Sequence, residues 1–319
     1  MPRFGSASAR VAPTYHRGTE TPRCKSLSRL GASVSRCFVG EKVAAIAALF
    51  VLVPFTSFAQ QRPLVTEDPE TVGARRMLIE AGSDYTRDVQ YPTSGLKGNL
   101  IRLPVIGISL GLGDVGEVQM DGGLYNQLAI TDRRPAPLSH FLVVPGESTS
   151  AFEDLVVGTK VRLVSEGASR PSIGIRSATR LPMASNESGL GLDTMDFYSS
   201  LLVAKTVESV RIVGNIGLGI LGDPTRGDRQ NDVLTYGVSF ARAISQNAEV
   251  VGEINGRHDT RRGDPPPGTE SRSMMRLGAR YTSGAWRADA AFLFGLLAAD
   301  PAFGVTAGVT YVFNTSSSP

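Results

Sequence analysis

The feature that most constrains this chain is an alternation of apolar and polar residues with a period of two, repeated from about residue 74 onward. In LVVGTKVRLV (155–164), apolar residues alternate with Lys160 and Arg162. In WRADAAFLF (286–294), one set of alternate positions is aromatic or Ala, and the other includes Asp289. Successive side chains of a β-strand point to opposite faces. The pattern therefore predicts strands with one apolar and one polar face.

About twelve such units follow one another, and the links between them alternate in length. The predicted strands are 75–86, 98–110, 116–130, 154–165, 171–183, 196–206, 209–221, 232–243, 248–258, 271–282, 285–296 and 303–313. The short links are 111–116, 166–169, 207–209, 245–247 and 283–284; the long ones are 87–97, 131–153, 184–195, 222–231 and 259–270, with a shorter last link at 297–302. An even number of strands with short periplasmic turns and longer external loops is typical of bacterial outer-membrane barrels. We therefore predict an all-β fold, a transmembrane antiparallel β-barrel spanning residues 74–319.

The N-terminal region is predicted to be a signal peptide. A basic lead of some 42 residues precedes VAAIAALFVLVPF (43–55), which holds 13 uncharged residues, and a small-x-small site follows at Ser57 and Ala59. A membrane-spanning helix needs about 20 apolar residues, so this core is too short to be one. We expect cleavage after Ala59, which leaves residues 60–73 as a periplasmic N-terminal segment. A buried helix is the alternative.

Removing residues 1–59 changes the composition of the remaining chain. Both cysteines, Cys24 and Cys37, lie in this leader, so neither a disulfide scaffold nor a lipid anchor on cysteine is expected. The leader holds 8 of the 33 basic and 2 of the 30 acidic residues, which leaves 25 basic and 28 acidic residues. The net charge becomes about −3, and we expect no nucleic-acid partner. The expected partners are outer-membrane lipid and the barrel-assembly machinery.

The polar faces of the predicted strands carry charged residues, which we expect to line the lumen. In barrels an Arg or Lys on the lipid face at the bilayer midplane costs about 2–4 kcal/mol, so charged positions should define the interior. The candidate lumen-lining residues are Lys160, Arg162, Arg176, Arg180, Glu249, Glu253, Arg276, Arg280 and Asp289, with Asp121 beside them. They either line a passage that selects solutes by charge, or pair across a narrow barrel and plug it.

No catalytic, cofactor or metal site is predicted. The mature chain has two histidines, His140 and His258, and neither has a serine or acidic partner at the spacing of a known site. The sequence shows no metal-ligand cluster and no phosphate-binding glycine loop followed by a helix. We therefore expect a protein that is not an enzyme. An outer-membrane lipid hydrolase remains an alternative.

The last predicted strand, GVTAGVTYVF (304–313), has the features of a closing strand. In lipid every backbone polar group needs a partner, so the first and last strands should pair and close the wall. Tyr311 and Phe313 then fall at the periplasmic interface, where barrels carry aromatic girdles. The chain continues through Asn314–Pro319, which departs from the pattern of barrels that end on an aromatic residue.

Two segments carry a resemblance to a known family. PLVTEDPETVG (63–73) runs directly into the first strand, and GDVGEVQMDGG (113–123) follows as a strand-turn-strand with acidic and glycine residues. These segments resemble the outer-membrane proteins of the meta-pathway phenol-degradation family. The resemblance implies an outer-membrane barrel associated with aromatic-compound catabolism and an uptake channel. It supplies no catalytic residues.

The function predicted from these observations is a channel or porin in the bacterial outer membrane for small hydrophobic or aromatic solutes. A plugged structural or interaction barrel of the envelope is an alternative. Because TEDPETVG (66–73) lies at the entrance to the barrel, we also predict that it folds into the mouth as a partial plug.

Overall fold

The structure, a computed structural model, describes residues 62–315. The predicted signal peptide, residues 1–59, lies outside the described residues. The strands are β1 (Arg76–Tyr91), β2 (Leu96–Leu112), β3 (Gly116–Gly123), β4 (Asn126–Arg133), β5 (Ser148–Ala151), β6 (Leu155–Val164), β7 (Ser172–Leu181), β8 (Asp196–Val207), β9 (Val210–Gly222), β10 (Gln230–Ala243), β11 (Ala248–Asp259), β12 (Arg272–Ser283), β13 (Trp286–Gly295) and β14 (Phe303–Asn314). Two 3₁₀ turns, Ser139–Phe141 and Asn186–Ser188, lie in connections.

The strands form one closed antiparallel sheet. From β6 to β14 each strand pairs with its neighbours in sequence, and β14 pairs with β1 along twelve residue positions, from Arg76 opposite Asn314 to Arg87 opposite Phe303. β1 pairs on its other side with β2, which completes the cylinder. The predicted closure by the last strand is confirmed. Every described strand except the short β5, which pairs with β4 alone, has partners on both sides, as the hydrocarbon layer requires.

The wall has twelve strands although fourteen segments are counted, because two of the wall strands are bent. β2 pairs with β4 through its first half and with β3 through its second half. The break lies opposite Leu103 and Pro104, and Pro104 has no N–H to donate to the ladder. The bend continues into the next wall strand, where β5 pairs with β4 and β6 pairs with β3. The prediction of one continuous strand over 116–130 is therefore wrong.

The first hairpin also differs from its prediction. β1 and β2 extend toward each other until only residues 92–95 connect them, so the long link predicted for 87–97 is a four-residue turn. Gly95 adopts a left-handed conformation with φ of 77° and donates its N–H to the carbonyl of Tyr91 at 2.8 Å. The long connections are therefore 134–147, 182–195, 223–229, 260–271 and 296–302, with β5 beginning at the end of the first.

The outer face of the wall is apolar around the whole cylinder. The exposed apolar side chains near the strand centres include Leu110, Met120, Val161, Ile175, Leu201, Ile216, Val238, Ile254, Leu277, Phe292 and Val309. The alternate positions face the interior; they carry many buried polar side chains and also buried apolar ones, such as Leu202, Val233 and Val251. Within residues 62–315 no helix is long and apolar enough to cross a membrane. The protein is an outer-membrane β-barrel, and we call the end with the short turns periplasmic and the other end extracellular.

Each end of the barrel has its own side-chain cluster. On the outer face at the periplasmic end, the ring centroid of Tyr311 lies 4.4 Å from those of Trp286 and Phe313, which places three aromatic rings where an interfacial girdle belongs. At the extracellular end a buried apolar cluster joins β1, β2 and β4 and packs against the following connection; its buried members are Val89, Leu96, Leu100, Leu128 and Ile130.

Candidate functional site

The candidate site is the interior of the barrel, where residues 62–73 cross between the walls. We call these residues the lumen segment. Its backbone N–H groups donate to inward-facing side chains of three well-separated strands, namely Glu253 on β11, Asn215 on β9 and Glu117 on β3. Residues 62–73 of the segment predicted at 60–73 therefore lie in the lumen, and they include TEDPETVG (66–73), for which a partial plug was predicted. The segment has no sheet pairing, so wall side chains satisfy its backbone instead.

Glu253 fixes the middle of the lumen segment. Its carboxylate accepts the backbone N–H of Val65 at 2.9 Å and that of Thr66 at 2.8 Å. Arg276 on β12 donates to the same carboxylate at 2.7 Å and thereby balances its charge. The Glu253 side chain is fully buried, so these hydrogen bonds form away from water.

Asn215 hydrogen-bonds to the backbone of Glu67 in the way that a neighbouring β-strand would. Its Oδ1 accepts the N–H of Glu67 at 2.7 Å, and its Nδ2 donates to the carbonyl of Glu67 at 2.8 Å. One amide side chain thus satisfies both backbone groups of a single residue. Such reciprocal pairing requires an extended backbone, and it places the Glu67 side chain toward β3, β6 and β7.

A buried ionic cluster surrounds the Glu67 carboxylate. Lys160 is only 1% exposed, and its Nζ lies 3.3 Å from Glu67 and 3.0 Å from Glu117. Arg176 Nε lies 2.8 Å from Glu67, and Gln119 joins the cluster by donating to Glu117 at 2.8 Å. A buried lysine is retained only when it is paired. The lumen segment therefore supplies one of the two carboxylates that Lys160 contacts.

The ionic partners keep Glu67 charged. Burial alone would raise the pKa of Glu67, but the charges of Arg176 and Lys160 outweigh burial and hold that pKa below its ordinary value of 4.5. Burial also opposes ionisation of Asp68, whose pKa is nevertheless held below its ordinary 3.8 by the hydrogen bonds and charge of Arg211. Both carboxylates are therefore ionised at neutral pH.

Asp68 forms an ion pair that links the lumen segment to the periplasmic end of the barrel. Arg211 on β9 donates to both oxygens of Asp68, from Nε at 2.7 Å and from Nη2 at 2.6 Å. The same guanidinium reaches Glu166 in the β6–β7 turn at 2.5 Å. Lys205 Nζ donates to the carbonyl of Gly167 at 2.6 Å, which holds that turn in place. Arg211 therefore couples the turn to the segment.

The C-terminal part of the lumen segment leads into β1 through three further contacts. Glu70 pairs with Arg162 on β6. Thr71 donates to the carbonyl of Asp114 at 3.2 Å, and the N–H of Val72 donates to Glu117 at 2.7 Å. Gly73 then adopts φ of 86°, and the chain turns into the first strand.

The N-terminal end of the segment, Arg62, lies against the opposite wall. Its Nη2 donates to Thr306 Oγ1 at 2.7 Å and to the carbonyl of Ala307 at 3.0 Å, both on β14. Its backbone N–H donates to Glu80 at 3.3 Å, and its carbonyl accepts from Arg280 Nε at 2.8 Å. The segment therefore spans the lumen from β3 and β6 to β14.

Inward-facing glycines leave the space that the segment occupies. A Cβ at Gly82 or Gly308, which are directly opposite each other on β1 and β14, would overlap the Arg62 guanidinium. A Cβ at Gly237 would lie 2.7 Å from Thr66 Oγ1, which is closer than real Cβ contacts. The wall therefore complements the lumen segment in shape, through these glycines, as well as in charge.

The structure places the predicted lumen-lining residues on inward positions and joins most of them to the lumen segment. Lys160, Arg162, Arg176, Glu253 and Arg280 contact the segment directly. Arg276 acts through Glu253, and Asp289 lies 3.6 Å from Arg62 Nε. The other two predicted residues pair elsewhere: Arg180 with Asp154 and Asp196, and Glu249 at 4.0 Å from both Arg280 and Arg287.

Several partners in these contacts, most of them acidic, were not among the residues predicted from the sequence. The omitted residues that contact the segment, or belong to it, are Arg62, Glu67, Asp68, Glu70, Glu80, Glu117, Arg211 and Asn215. The stretch TEDPE (66–70) concentrates three carboxylates in five residues, ahead of strands whose polar faces are rich in Arg and Lys. That charge complementarity is a signal from which the pairing could have been predicted.

The two histidines do not form a catalytic arrangement with other described residues. His140 is exposed in the first 3₁₀ turn and stacks on Phe141 with ring centroids 4.0 Å apart. His258 is exposed on β11. Across residues 62–315, neither imidazole hydrogen-bonds to a serine or a carboxylate, and no group of three or more His, Cys, Asp or Glu residues is arranged to hold a metal ion.

Comparisons with known proteins bear on the fold. No family model matches the chain, and no curated protein matches it. Among solved structures, the COG4313 outer membrane channel from Pseudomonas putida F1 superposes with a TM-score of 0.56 at 11% identity, over 77% of this chain and 98% of that chain. At this identity the likeness shows a shared barrel fold.

Other outer-membrane barrels are more distant. The NanC porin has a TM-score of 0.46 at 8% identity, over 73% of this chain and 98% of that one. The Pseudomonas putida toluene transporter TodX has a TM-score of 0.41 at 11% identity, over 82% of this chain and 95% of that one. The geometry and the first comparison agree on a closed, twelve-stranded, antiparallel β-barrel of the outer membrane.

Proposed function

We propose that this protein is an outer-membrane channel for small solutes that the lumen segment holds closed. The observation that carries the proposal is the path of residues 62–73, which are held by hydrogen bonds and ion pairs to side chains on opposite sides of the barrel. A segment clamped across the lumen obstructs passage. Its displacement would open a route lined by the same charged residues.

The way the segment is held supports displacement rather than permanent closure. It makes no strand pairing with the wall, so all of its described contacts run through side chains or single backbone groups. Moving it breaks none of the ladder hydrogen bonds that hold the barrel together. The barrel and the segment are therefore separable elements, which is a requirement for a gate.

The solute is a separate question from the channel. The first comparison is with a protein described as an outer membrane channel, which agrees with the proposal at the level of fold. A hydrophobic or aromatic solute follows from the family resemblance and stays a prediction. The interior contacts described above are ionic, and none of them selects an aromatic ring.

Ion flux through the purified full-length mature protein tests the proposal. In planar bilayers we expect low conductance from the wild type and higher conductance from a Glu67→Gln/Asp68→Ala variant, because two carboxylate anchors of the segment are lost. Asp223→Ala is the matched control, since Asp223 belongs to an extracellular connection and accepts hydrogen bonds from Thr225. Equal and negligible flux from wild type and variant would contradict a channel.

Ion flux separates the channel from a plugged barrel, and a phospholipid-cleavage assay tests the hydrolase alternative. A plugged structural barrel of the envelope should pass nothing even when the anchors are removed. A lipid hydrolase should cleave phospholipid, and His140→Ala or His258→Ala should abolish the cleavage. The exposed, separated positions of the two imidazoles give that alternative no geometric support.

A further inference from the structure

The pocket that holds the Arg62 side chain has the features of a recognition site for a planar cation. Two neutral acceptors on β14, Thr306 Oγ1 and the carbonyl of Ala307, take hydrogen bonds from Nη2 at 2.7 and 3.0 Å. Two carboxylates lie slightly further away, Asp84 at 3.9 Å from Nη2 and Asp289 at 3.6 Å from Nε. Together they present acceptors along two edges of the guanidinium.

The floor of this pocket is made of backbone. Gly82 and Gly308 lie opposite each other in the β1–β14 ladder, and the guanidinium lies where a Cβ on either residue would be. The two glycines leave a surface without side chains against which a flat group can lie. A side chain as small as Ala at either position would remove that space.

The pocket has more acceptors than Arg62 uses. Neither carboxylate oxygen of Asp289 accepts a hydrogen bond from any residue between 62 and 315, and the same is true of Asp84 Oδ1. The Asp289 side chain is 0% exposed. Of the neighbouring cations, Arg102 donates to the other oxygen of Asp84 at 3.1 Å, Arg287 donates to Thr282 at 3.1 Å, and Arg280, opposite Asp289 on β12, donates to the carbonyl of Arg62 at 2.8 Å. A buried carboxylate without a hydrogen-bond donor is costly.

Arg62 is tethered and cannot satisfy these oxygens. Its backbone is held at both ends, by Glu80 on the N–H and by Arg280 on the carbonyl, and its Nε donates to no acceptor among the described residues. A free guanidinium has donors in a rigid planar fork and can turn to form paired hydrogen bonds with a carboxylate. The tethered side chain is therefore a poorer ligand for the pocket than an untethered group.

We propose that this pocket binds free guanidinium compounds from solution, and that their binding displaces Arg62 and loosens the lumen segment. This inference rests on the proposed channel function, which it deepens by naming a class of ligand. A ligand that competes with Arg62 binds only the displaced state, so it shifts the population toward the open channel. Cations that cannot donate hydrogen bonds should not have this effect.

The test compares two cations on the full-length protein in planar bilayers. Guanidinium chloride at millimolar concentration should raise the open probability of the wild type saturably, and tetramethylammonium chloride at the same ionic strength should not. In Arg62→Ala the side chain that competes for the pocket is absent while the backbone contacts to Glu80 and Arg280 remain, so the channel should open more often than the wild type, and added guanidinium should no longer raise its open probability. Asp289→Asn and Thr306→Val should each weaken the response by roughly tenfold, which corresponds to one charge-assisted hydrogen bond.

A readout independent of current accompanies these measurements. Thr66 is buried in the segment, and the mature chain has no cysteine, so a Thr66→Cys variant reports displacement by its rate of thiol labelling. Guanidinium should accelerate labelling and tetramethylammonium should not; Arg226→Ala, in an exposed loop, should respond as the wild type does.

The outcomes distinguish the two proposals. Equal responses to both cations, or a response unchanged in Asp289→Asn, would overturn the guanidinium site even if the channel conducts. If Arg62→Ala and Glu67→Gln/Asp68→Ala both pass no ions, the channel function itself fails. Labelling of Thr66→Cys would still show whether guanidinium moves the segment.

Discussion

Inside this barrel, residues of the lumen segment form ion pairs with residues of the wall. Asp68 and Arg211 form such a pair through two hydrogen bonds. Two nearly parallel N–H donors reach the two oxygens of one carboxylate, which is the arrangement in which Arg binds most specifically. The pair lies inside the barrel, where neither side chain is more than 17% exposed. Removing either partner should therefore make the closed position of the lumen segment less stable.

We expect Asp68→Ala to disfavour the closed state by about 1.5–3 kcal/mol, the range for hydrogen bonds to charged groups. The ratio of closed to open channels should then fall roughly tenfold to a hundredfold, as measured by open probability in bilayers. Arg211→Ala should give a similar change. The double variant should add little to either single variant, because both remove the same interaction. Additive effects would mean that the pair does not hold the segment.

A second prediction at this scale concerns the space left by glycine. Gly82→Ala should displace Arg62, because the three heavy atoms nearest to the new Cβ all belong to its guanidinium, and conductance should rise. Gly214→Ala is the matched control, since a Cβ there has no heavy atom within 4 Å. If both variants keep the low conductance of the wild type, the fit between the wall and Arg62 does not contribute to closure.

At the scale of elements, the lumen segment and the β6–β7 turn lie outside the strands and share Arg211 as a partner for their carboxylates. The pKa of Glu166 in that turn is also held below its ordinary value: burial opposes ionisation, but a hydrogen bond from the N–H of Thr206 and the charge of Arg211 outweigh it. Glu67, Asp68 and Glu166 are therefore all stabilised in their charged forms. Each stabilises the closed arrangement only while it is ionised.

The sign of the pH dependence follows from these lowered pKa values. A carboxylate with a depressed pKa contributes stability that is complete above its ordinary pKa and is lost as the pH falls through the depressed value. We expect the segment to stay seated from neutral pH down to about pH 4 and to be released progressively below that. Thiol labelling of Thr66→Cys across this range measures the release. Release between pH 7 and 5 would contradict the assigned ion pairs.

The strands show how much of the secondary structure can be predicted from the local alternation of apolar and polar residues. Most strand boundaries follow from alternation and turn residues to within a few positions, because the period of two is local. The bend at Leu103 and Pro104 does not follow in the same way. Pro104 shows where a donor is missing, but the division of β3 from β4 depends on how the neighbouring strand pairs across that position. Strand pairing between distant parts of the chain cannot be predicted from the alternation within one strand.

At the scale of the whole molecule, the exposed apolar outer face leads us to expect a barrel that is stable only with lipid or detergent around it. Val238, at the middle of β10, is 61% exposed on this face. We expect Val238→Arg to destabilise the folded barrel by about 2–4 kcal/mol, and Ile244→Arg, in the periplasmic turn after β10, by about 0–1 kcal/mol. Denaturant titration in detergent or lipid measures the difference. Equal costs at both positions would contradict a bilayer centred on the strands.

What the sequence alone determined about this protein was the wall. Alternation and charged inward positions express one local rule, since a strand with lipid on one side and a polar interior on the other must alternate, and the even number of strands is counted from the repeats. The sequence placed TEDPETVG (66–73) at the barrel mouth, but the partners of this segment inside the lumen were decided by the tertiary structure. Closing β1 onto β14 brings Arg62 to the glycines of both strands and places Glu67 and Asp68 beside basic residues far along the chain. These contacts depend on barrel closure, because only the closed sheet fixes how far apart the inward-facing side chains of opposite strands lie.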